Sequence, residues 1–173
     1  RYASQCNISD ILATGGIPVG LQYFVGVPEN RNESIDFTHA DLDSVKNGIR
    51  HEMERAKTDN FGIVRTETTH FLMGATAIGG TQSLDQIRPR NGAVPGDYVV
   101  LLGEVGGFAA AAYGFEQDIG MPEDLRDEFL SIIAREPPIP VNQSTKLTNH
   151  GLGNGGIDIS DGPGVDLPTL ASA

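Results

Sequence analysis

The chain has 173 residues, 39% of them apolar, enough for one compact domain or two small ones with a real core. Acidic residues outnumber basic ones by 23 to 12, a formal charge of −11. That balance repels a phosphate backbone and argues against a nucleic-acid partner, although divalent cations standing between carboxylates and phosphates still allow a phosphorylated ligand. The single cysteine, Cys6, cannot close an intrachain disulfide, and no stretch reaches the roughly 20 apolar residues of a membrane span, so a cytoplasmic protein is expected. Arg1 stands where an initiating methionine would, and no signal peptide is visible, which leads us to expect a partial chain.

In chain order, SQCNISDILATGG (4–16) has Ile8, Ile11 and Leu12 at helical spacing and a Gly15-Gly16 stop, predicting a short helix that carries Asp10 late in its length. LQYFVGV (21–27) is an apolar run bounded by Gly20 and Pro28, the profile of a buried strand. Residues 38–57 form the clearest element. Thr38 and Asp41 have capping-box spacing, and Leu42, Val45, Ile49, Met53 and Ala56 share one helical face. FGIVRTET (61–68) and HFLMGATAIGG (70–80) read as two strands.

The turn-rich RPRNGAVPGD (88–97) comes after a polar stretch, and a domain boundary is placed near Ile87, dividing the chain into 1–86 and 87–173. YVVLLG (98–103) reads as a strand, 104–115 as a glycine turn entering an alanine-rich helix, and 121–135 as a second helix with Pro122 in its first turn. EPPIPVNQS (136–144) is expected to be extended because of its prolines. GGIDISD (155–161) reads as a short strand, with a helix beginning at Gly164 and stopping at Ala173, which again points to an incomplete domain.

Four acidic positions could carry chemistry. Asp10 on its helix and Glu67 at a strand end each also read as ordinary surface acids. In IDISDG (157–162) Ile157 and Ile159 alternate with Asp158 and Ser160, so the two polar side chains share a strand face, and Asp161 opens the turn at Gly162. Converging oxygens of this kind suit Mg²⁺, which takes one or two carboxylates and completes its shell with water and phosphate. An Asp-Gly turn with an incidental acid has the same spacing.

GEVGGFAAAA (103–112) is a weak match to a phosphate-binding turn at a helix start, and there is no P-loop. Arg88 and Arg90 could each reach a phosphate or lie on the surface. Cys6 adjoins no evident base, the four histidines lack metal-ligand spacing, and no G-x-S-x-G elbow is present, which disfavours acyl transfer and zinc chemistry.

Three segments together resemble one family. NISDILATGGIPVG (7–20), RPRNGAVPGDYVVLLGEVGGFAAAAYGF (88–115) and GIDISDGPGVDL (156–167) are similar, in order and spacing, to motifs of the thiamine-monophosphate kinases. These belong to a superfamily with aminoimidazole ribonucleotide synthetase, selenophosphate synthetase and the hydrogenase-maturation ATPase. The resemblance implies an α/β (α+β), aminoimidazole ribonucleotide synthetase-like two-domain fold, here partial, and a homodimer with its cleft near the dimer interface. It implies ATP- and Mg²⁺-dependent phosphoryl transfer to a small-molecule acceptor, phosphorylated or heterocyclic.

Carried over by position, the resemblance makes Asp10, Asp158 and Asp161 Mg²⁺ ligands, and Ser160 and Arg90 ATP contacts. Where the family has Gly-Gly-Asp-Thr this chain has Arg65-Thr66-Glu67-Thr68, so Glu67 replaces a metal-binding Asp and Thr66 stands beside the nucleotide. The family's lysine is Val94, its Thr-Gly is Leu102-Gly103, and its N-terminal Gly-Asp-Asp strand has no counterpart. Two other readings therefore stand beside the kinase: a non-catalytic nucleotide-binding or structural dimerising relative, and another ATP-dependent enzyme of the superfamily. The sequence singles out no catalytic residue.

Overall fold

Side chains on a strand point alternately to opposite faces, and residues 17–28 are patterned accordingly. In the computed structural model, which describes residues 2–28, 38–107, 113, 127 and 139–173, they form one strand, β1 (Ile17–Pro28). Leu21, Tyr23, Val25 and Val27 are buried, whereas the intervening Gln22 and Phe24 are exposed.

β1 is the middle strand of a three-stranded sheet of order β2-β1-β3. β2 (Asp59–Thr68) pairs parallel to it, and β3 (Leu72–Gly80) antiparallel. A parallel pair needs a long crossover, and helix α2 (His39–Ala56) lies within it.

The capping box at the start of α2 forms as expected. The Thr38 N–H donates to Asp41 Oδ2 at 2.7 Å and the Asp41 N–H donates to Thr38 Oγ1 at 3.3 Å. The helix buries Leu42, Ile49, Met53 and Ala56 against the odd-numbered face of β1, and α1 (Tyr2–Ala13) adds Ile8 and Leu12 to the same core. Three polar side chains inside this core are partnered: the Tyr23 hydroxyl donates to Ser4 Oγ at 2.9 Å, and the fully buried Glu52 carboxylate accepts from Gln5 Nε2 and Arg55 Nη1, each at 3.1 Å.

The other sheet face has no helix on it among the described residues. Val19, Phe24, Phe61, Val64, Leu72 and Ile78 are all more than a third exposed, and the pairing register of Phe24 with Val64, and of Gly20 with Ile78, aligns them across the strands. A bulge shapes this face: the register between β1 and β2 skips Phe61, the Gly62 N–H donates to Asn60 Oδ1 at 2.8 Å, and Gly62 takes φ +121°. The Phe61 ring consequently lies over Gly20, where any Cβ would collide with it.

Among the described residues there are two further helices, α3 (Val141–Asn149) and α4 (Pro163–Ser172), and none of the helices is long and apolar enough to cross a membrane. Three expectations change. Residues 141–144 are helical: Pro140 occupies the N-cap position of α3, so the prolines constrain the approach and not the segment after them. Residues 98–103 and 155–161 form no strand, because neither finds a ladder partner among the described residues. The helices expected in 104–115 and 121–135 fall almost wholly outside the described residues.

Leu21 is fully buried at the centre of the core. Leu21→Ala is expected to lower unfolding free energy by about 2–5 kcal/mol, read as a drop in the urea midpoint with an unchanged slope.

Candidate functional site

The site grows from the C-terminal end of α1. There the Gly15 N–H donates to the Leu12 carbonyl at 3.2 Å and the Gly16 N–H to the Ile11 carbonyl at 2.9 Å, closing the helix with Gly15 at φ +82°. Asp10 stands exposed on the last turns of this helix. The chain between α3 and α4 crosses the same helix end so closely that a Cβ on Gly156 would collide with the Ala13 carbonyl oxygen.

Two residues beyond Gly156 lies Asp158, half-buried. Burial, first, and then the negative charge of Asp10 push its carboxyl up from the usual 3.8; Asp166 adds to the rise and Arg90 opposes it. The structure thus brings Asp10, Asp158, Asp166 and Arg90 into one electrostatic neighbourhood.

Ser160 and Asp161 come next, as an exposed turn. Both backbone N–H groups donate to one oxygen, Asp166 Oδ2, at 3.0 Å each. Asp166 is buried in the first turn of α4, where a carboxylate also meets the positive end of the helix dipole. By sequence it reads only as a helix-start acid; its folded role is to hold the Ser160–Asp161 turn. The available signal was an acid four residues after Gly162, within reach of the N–H groups just upstream of the helix.

The two arginines separate. Arg90 is exposed in a 3-10 turn (Arg90–Gly92) that packs against α4. Arg88 is buried, 6% exposed, so neither a surface position nor open contact with a phosphate describes it. Its Nη2 donates to the Leu12 carbonyl at 2.9 Å, Ser144 Oγ at 3.0 Å and Thr148 Oγ1 at 3.1 Å. Ser144 and Thr148 lie on α3, in and just beyond the stretch expected to be extended, and no sequence signal marks them.

Thr66 and Glu67 lie elsewhere. They pair with Gly26 and Val27 near the end of β1, whereas the end of α1 abuts its beginning. Ten residues of strand, about 30 Å, separate the two ends. With Arg65 they line a shallow depression of about 560 Å³, and within one chain they do not join Asp158.

The donor set decides what could bind. Among the described residues no three His, Cys, Asp or Glu side chains converge as a metal-holding group. Asp158 does feel the negative charge of Asp10. That set suits a Mg²⁺ ion that keeps water and phosphate oxygens in its remaining positions, not an ion caged by protein alone.

No protein-family model matches the chain. Curated thiamine-monophosphate kinases do: that of Pyrococcus horikoshii is 30% identical over 169 residues, 95% of this chain and 48% of its own length. That of Pyrococcus abyssi is 29% identical over 174 residues, 100% of this chain and 51% of its own length. Among solved structures, the thiamine monophosphate kinase of Aquifex aeolicus superposes with a TM-score of 0.78 at 22% identity, covering 99% of this chain and 54% of that one. AaThiL complexed with AMPPCP and TMP does so with a TM-score of 0.74 at 22% identity, over 99% and 54%. The fold expected from the sequence is therefore observed, and the chain spans about half the length of the curated relatives it matches.

A carboxyl whose folded value is raised contributes stability below its unfolded value, and that contribution is lost as pH rises through the folded value. Near pH 7 the ionised Asp158 beside Asp10 therefore opposes folding. Asp158→Asn is expected to raise the melting temperature at neutral pH, with the gain vanishing at about pH 3, where the aspartate is itself protonated. Melting curves of both proteins at the two pH values check this, and an Asn variant no more stable at pH 7 contradicts it.

Proposed function

We propose that this chain, a thiamine-monophosphate kinase-like member of the aminoimidazole ribonucleotide synthetase superfamily, takes part in ATP- and Mg²⁺-dependent phosphoryl transfer to a small phosphorylated or heterocyclic acceptor. The observation that carries the reading is that the loop packed at Gly156 against the end of α1 leads into Asp158, which feels the charges of Asp10, Asp166 and Arg90, and then into the Ser160–Asp161 turn. These are residues from the three motifs shared with the family, and they come from distant parts of the chain. A structural relative with AMPPCP and TMP bound supports a nucleotide and a small phosphorylated acceptor as the ligands.

In this reading Asp10 and Asp158 are the two carboxylates that would hold the metal, which neutralises phosphate charge when bound; Asp161, a ligand by the resemblance, sits on the exposed turn three residues past Asp158 and completes no three-carboxylate group with them among the described residues. Ser160 and Arg90 contact the nucleotide, Arg90 offering a planar donor fork suited to phosphate oxygens. The work of these residues is positioning and charge compensation, as phosphoryl transfer generally requires. The division at Ile87, the cytoplasmic setting and the two-domain arrangement belong to the same proposal.

Thr66 and Glu67 enter the reading only through a second copy. The open apolar face of the sheet supports a homodimer, since burying it removes six large hydrophobic side chains from water. A partner docked antiparallel across that face brings its own β2 end toward the Asp10 end of the first chain. The second reading, a relative that binds nucleotide without turnover, is favoured by one observation: Arg65-Thr66-Glu67 stands in place of the small Gly-Gly-Asp.

Calorimetric titration with ATP and Mg²⁺ is expected to show saturable binding that Asp158→Ala weakens at least about tenfold. Absence of binding, or binding unchanged in the variant, sinks the metal-bridge reading, and binding without phosphorylated product favours the second. For the face, Phe24→Glu is expected to shift sedimentation from dimer to monomer while leaving the far-ultraviolet dichroism unchanged; a monomeric wild-type chain contradicts the dimer.

A further inference from the structure

Among the described residues Arg88 has no carboxylate as a hydrogen-bond partner, and its buried Nε finds no partner. Desolvation pushes the guanidinium below its ordinary value. A buried cation in this state is costly to fold, so what it holds together is informative.

Its contacts converge on the two segments that carry the acidic pair. On the Asp10 side, Nη2 donates to the Leu12 carbonyl, two residues past Asp10, and the Arg88 N–H donates to the Thr14 carbonyl at 2.9 Å. On the Asp158 side, a Cβ on Gly153 would come within 2.9 Å of Arg88 Cδ and one on Gly156 within 3.4 Å of Arg88 Cβ, so this loop is laid directly along the side chain. Gly156 is thereby held between Arg88 and the end of α1, and two residues on, Asp158 feels the charge of Asp10.

α3 locks the third side. Ser144 Oγ donates to the Leu12 carbonyl at 2.9 Å and Thr148 Oγ1 to the Gly15 carbonyl at 3.1 Å, while both hydroxyl oxygens accept from Arg88. Both hydroxyls are almost fully buried. The carbonyls at and just past the end of α1, those of Leu12, Thr14 and Gly15, thus accept from Arg88 and from two hydroxyls.

We propose that Arg88 is a positioning residue for the metal site: it fixes the separation of Asp10 and Asp158 by joining the end of α1 to the 153–158 segment, and so sets how well the pair holds a divalent cation. The proposal rests on the reading of Asp10 and Asp158 as metal ligands for its functional consequence, and on geometry alone for the joint itself. Arg88 acts through the two aspartates and touches neither metal nor nucleotide.

The test uses Mn²⁺ as a paramagnetic probe, titrated into the whole chain and read by electron paramagnetic resonance. Arg88→Met and Asp10→Asn are each expected to weaken Mn²⁺ binding about tenfold. The double variant is expected to be no weaker than Asp10→Asn alone, because the two losses share one route. Arg88→Lys, which keeps a charged donor, is expected to recover part of the loss.

Should Arg88→Met fail to fold, Ser144→Ala/Thr148→Val removes two of the acceptors around the guanidinium and is expected to weaken Mn²⁺ in the same direction. Wild-type affinity in Arg88→Met, or losses that multiply in the double variant, overturn the proposal. If the wild-type chain binds no Mn²⁺ the metal reading falls on its own, and Arg88 is judged by amide exchange. Faster exchange confined to residues 10–16 and 153–159 in Arg88→Met upholds the joint, and unchanged protection there overturns it.

Discussion

Taking a guanidinium out of water costs several kcal/mol unless its protons find acceptors, and Arg88 finds them where three parts of the chain meet. The Leu12 carbonyl belongs to α1, Ser144 and Thr148 to α3, and the aliphatic stem of Arg88 runs along the glycine loop at 153–156. The negative end of the α1 dipole supplies the compensation that a carboxylate would otherwise give. Because hydrogen bonds to a buried charge are directional and costly to leave unmade, this joint admits little slack. In the proposed role of Arg88, this joint sets where Asp158 leaves the loop relative to Asp10, although 148 positions separate the two in sequence.

The sheet poses a complementary constraint. β1 carries apolar residues on both faces, and only the face with Leu21, Tyr23, Val25 and Val27 receives helices among the described residues. On the other, Phe24, Val64, Leu72 and Ile78 lie in register across three strands. A monomer rarely leaves such a surface to water. The same strand thus meets α1 at one end and presents this apolar face along its length.

Elements whose physics is local were readable from sequence. The Thr38–Asp41 capping box, the apolar face of α2 and the Gly15-Gly16 stop of α1 depend on residues within a few positions of each other, and each forms where spacing places it. Asp10 and Asp158 were linked only through resemblance, since no local pattern reports an interaction across so much chain. Arg88 was illegible for the same reason: a sequence marks a cation but not the carbonyls and hydroxyls that will surround it. Ser144 and Thr148 were hidden by the prolines before them, whose effect on backbone ends at Pro140 while helix α3 starts at the next residue. Asp166 carried a partial signal, its place in a first helical turn, and the fold added the acceptor role toward Ser160 and Asp161.

Asp158 shows why these features belong together. Left to stability alone, a half-buried carboxylate beside Asp10 and Asp166 is a poor choice, since burial and like charge both resist its ionisation. Arg90 offsets part of that resistance, but Arg88, the stronger candidate by proximity to the loop, spends its protons on neutral oxygens instead. The chain thus places one of its few cations where it rigidifies the acidic pair and not where it neutralises it. Repulsion held in a rigid frame is what a divalent cation relieves on binding, and a frame that yielded would let the carboxylates drift apart and lose that gain. In the proposed metal site, rigidity at Arg88 and charge at Asp158 are two halves of one arrangement, in which folding free energy given up at the site would be retained as affinity for a cation.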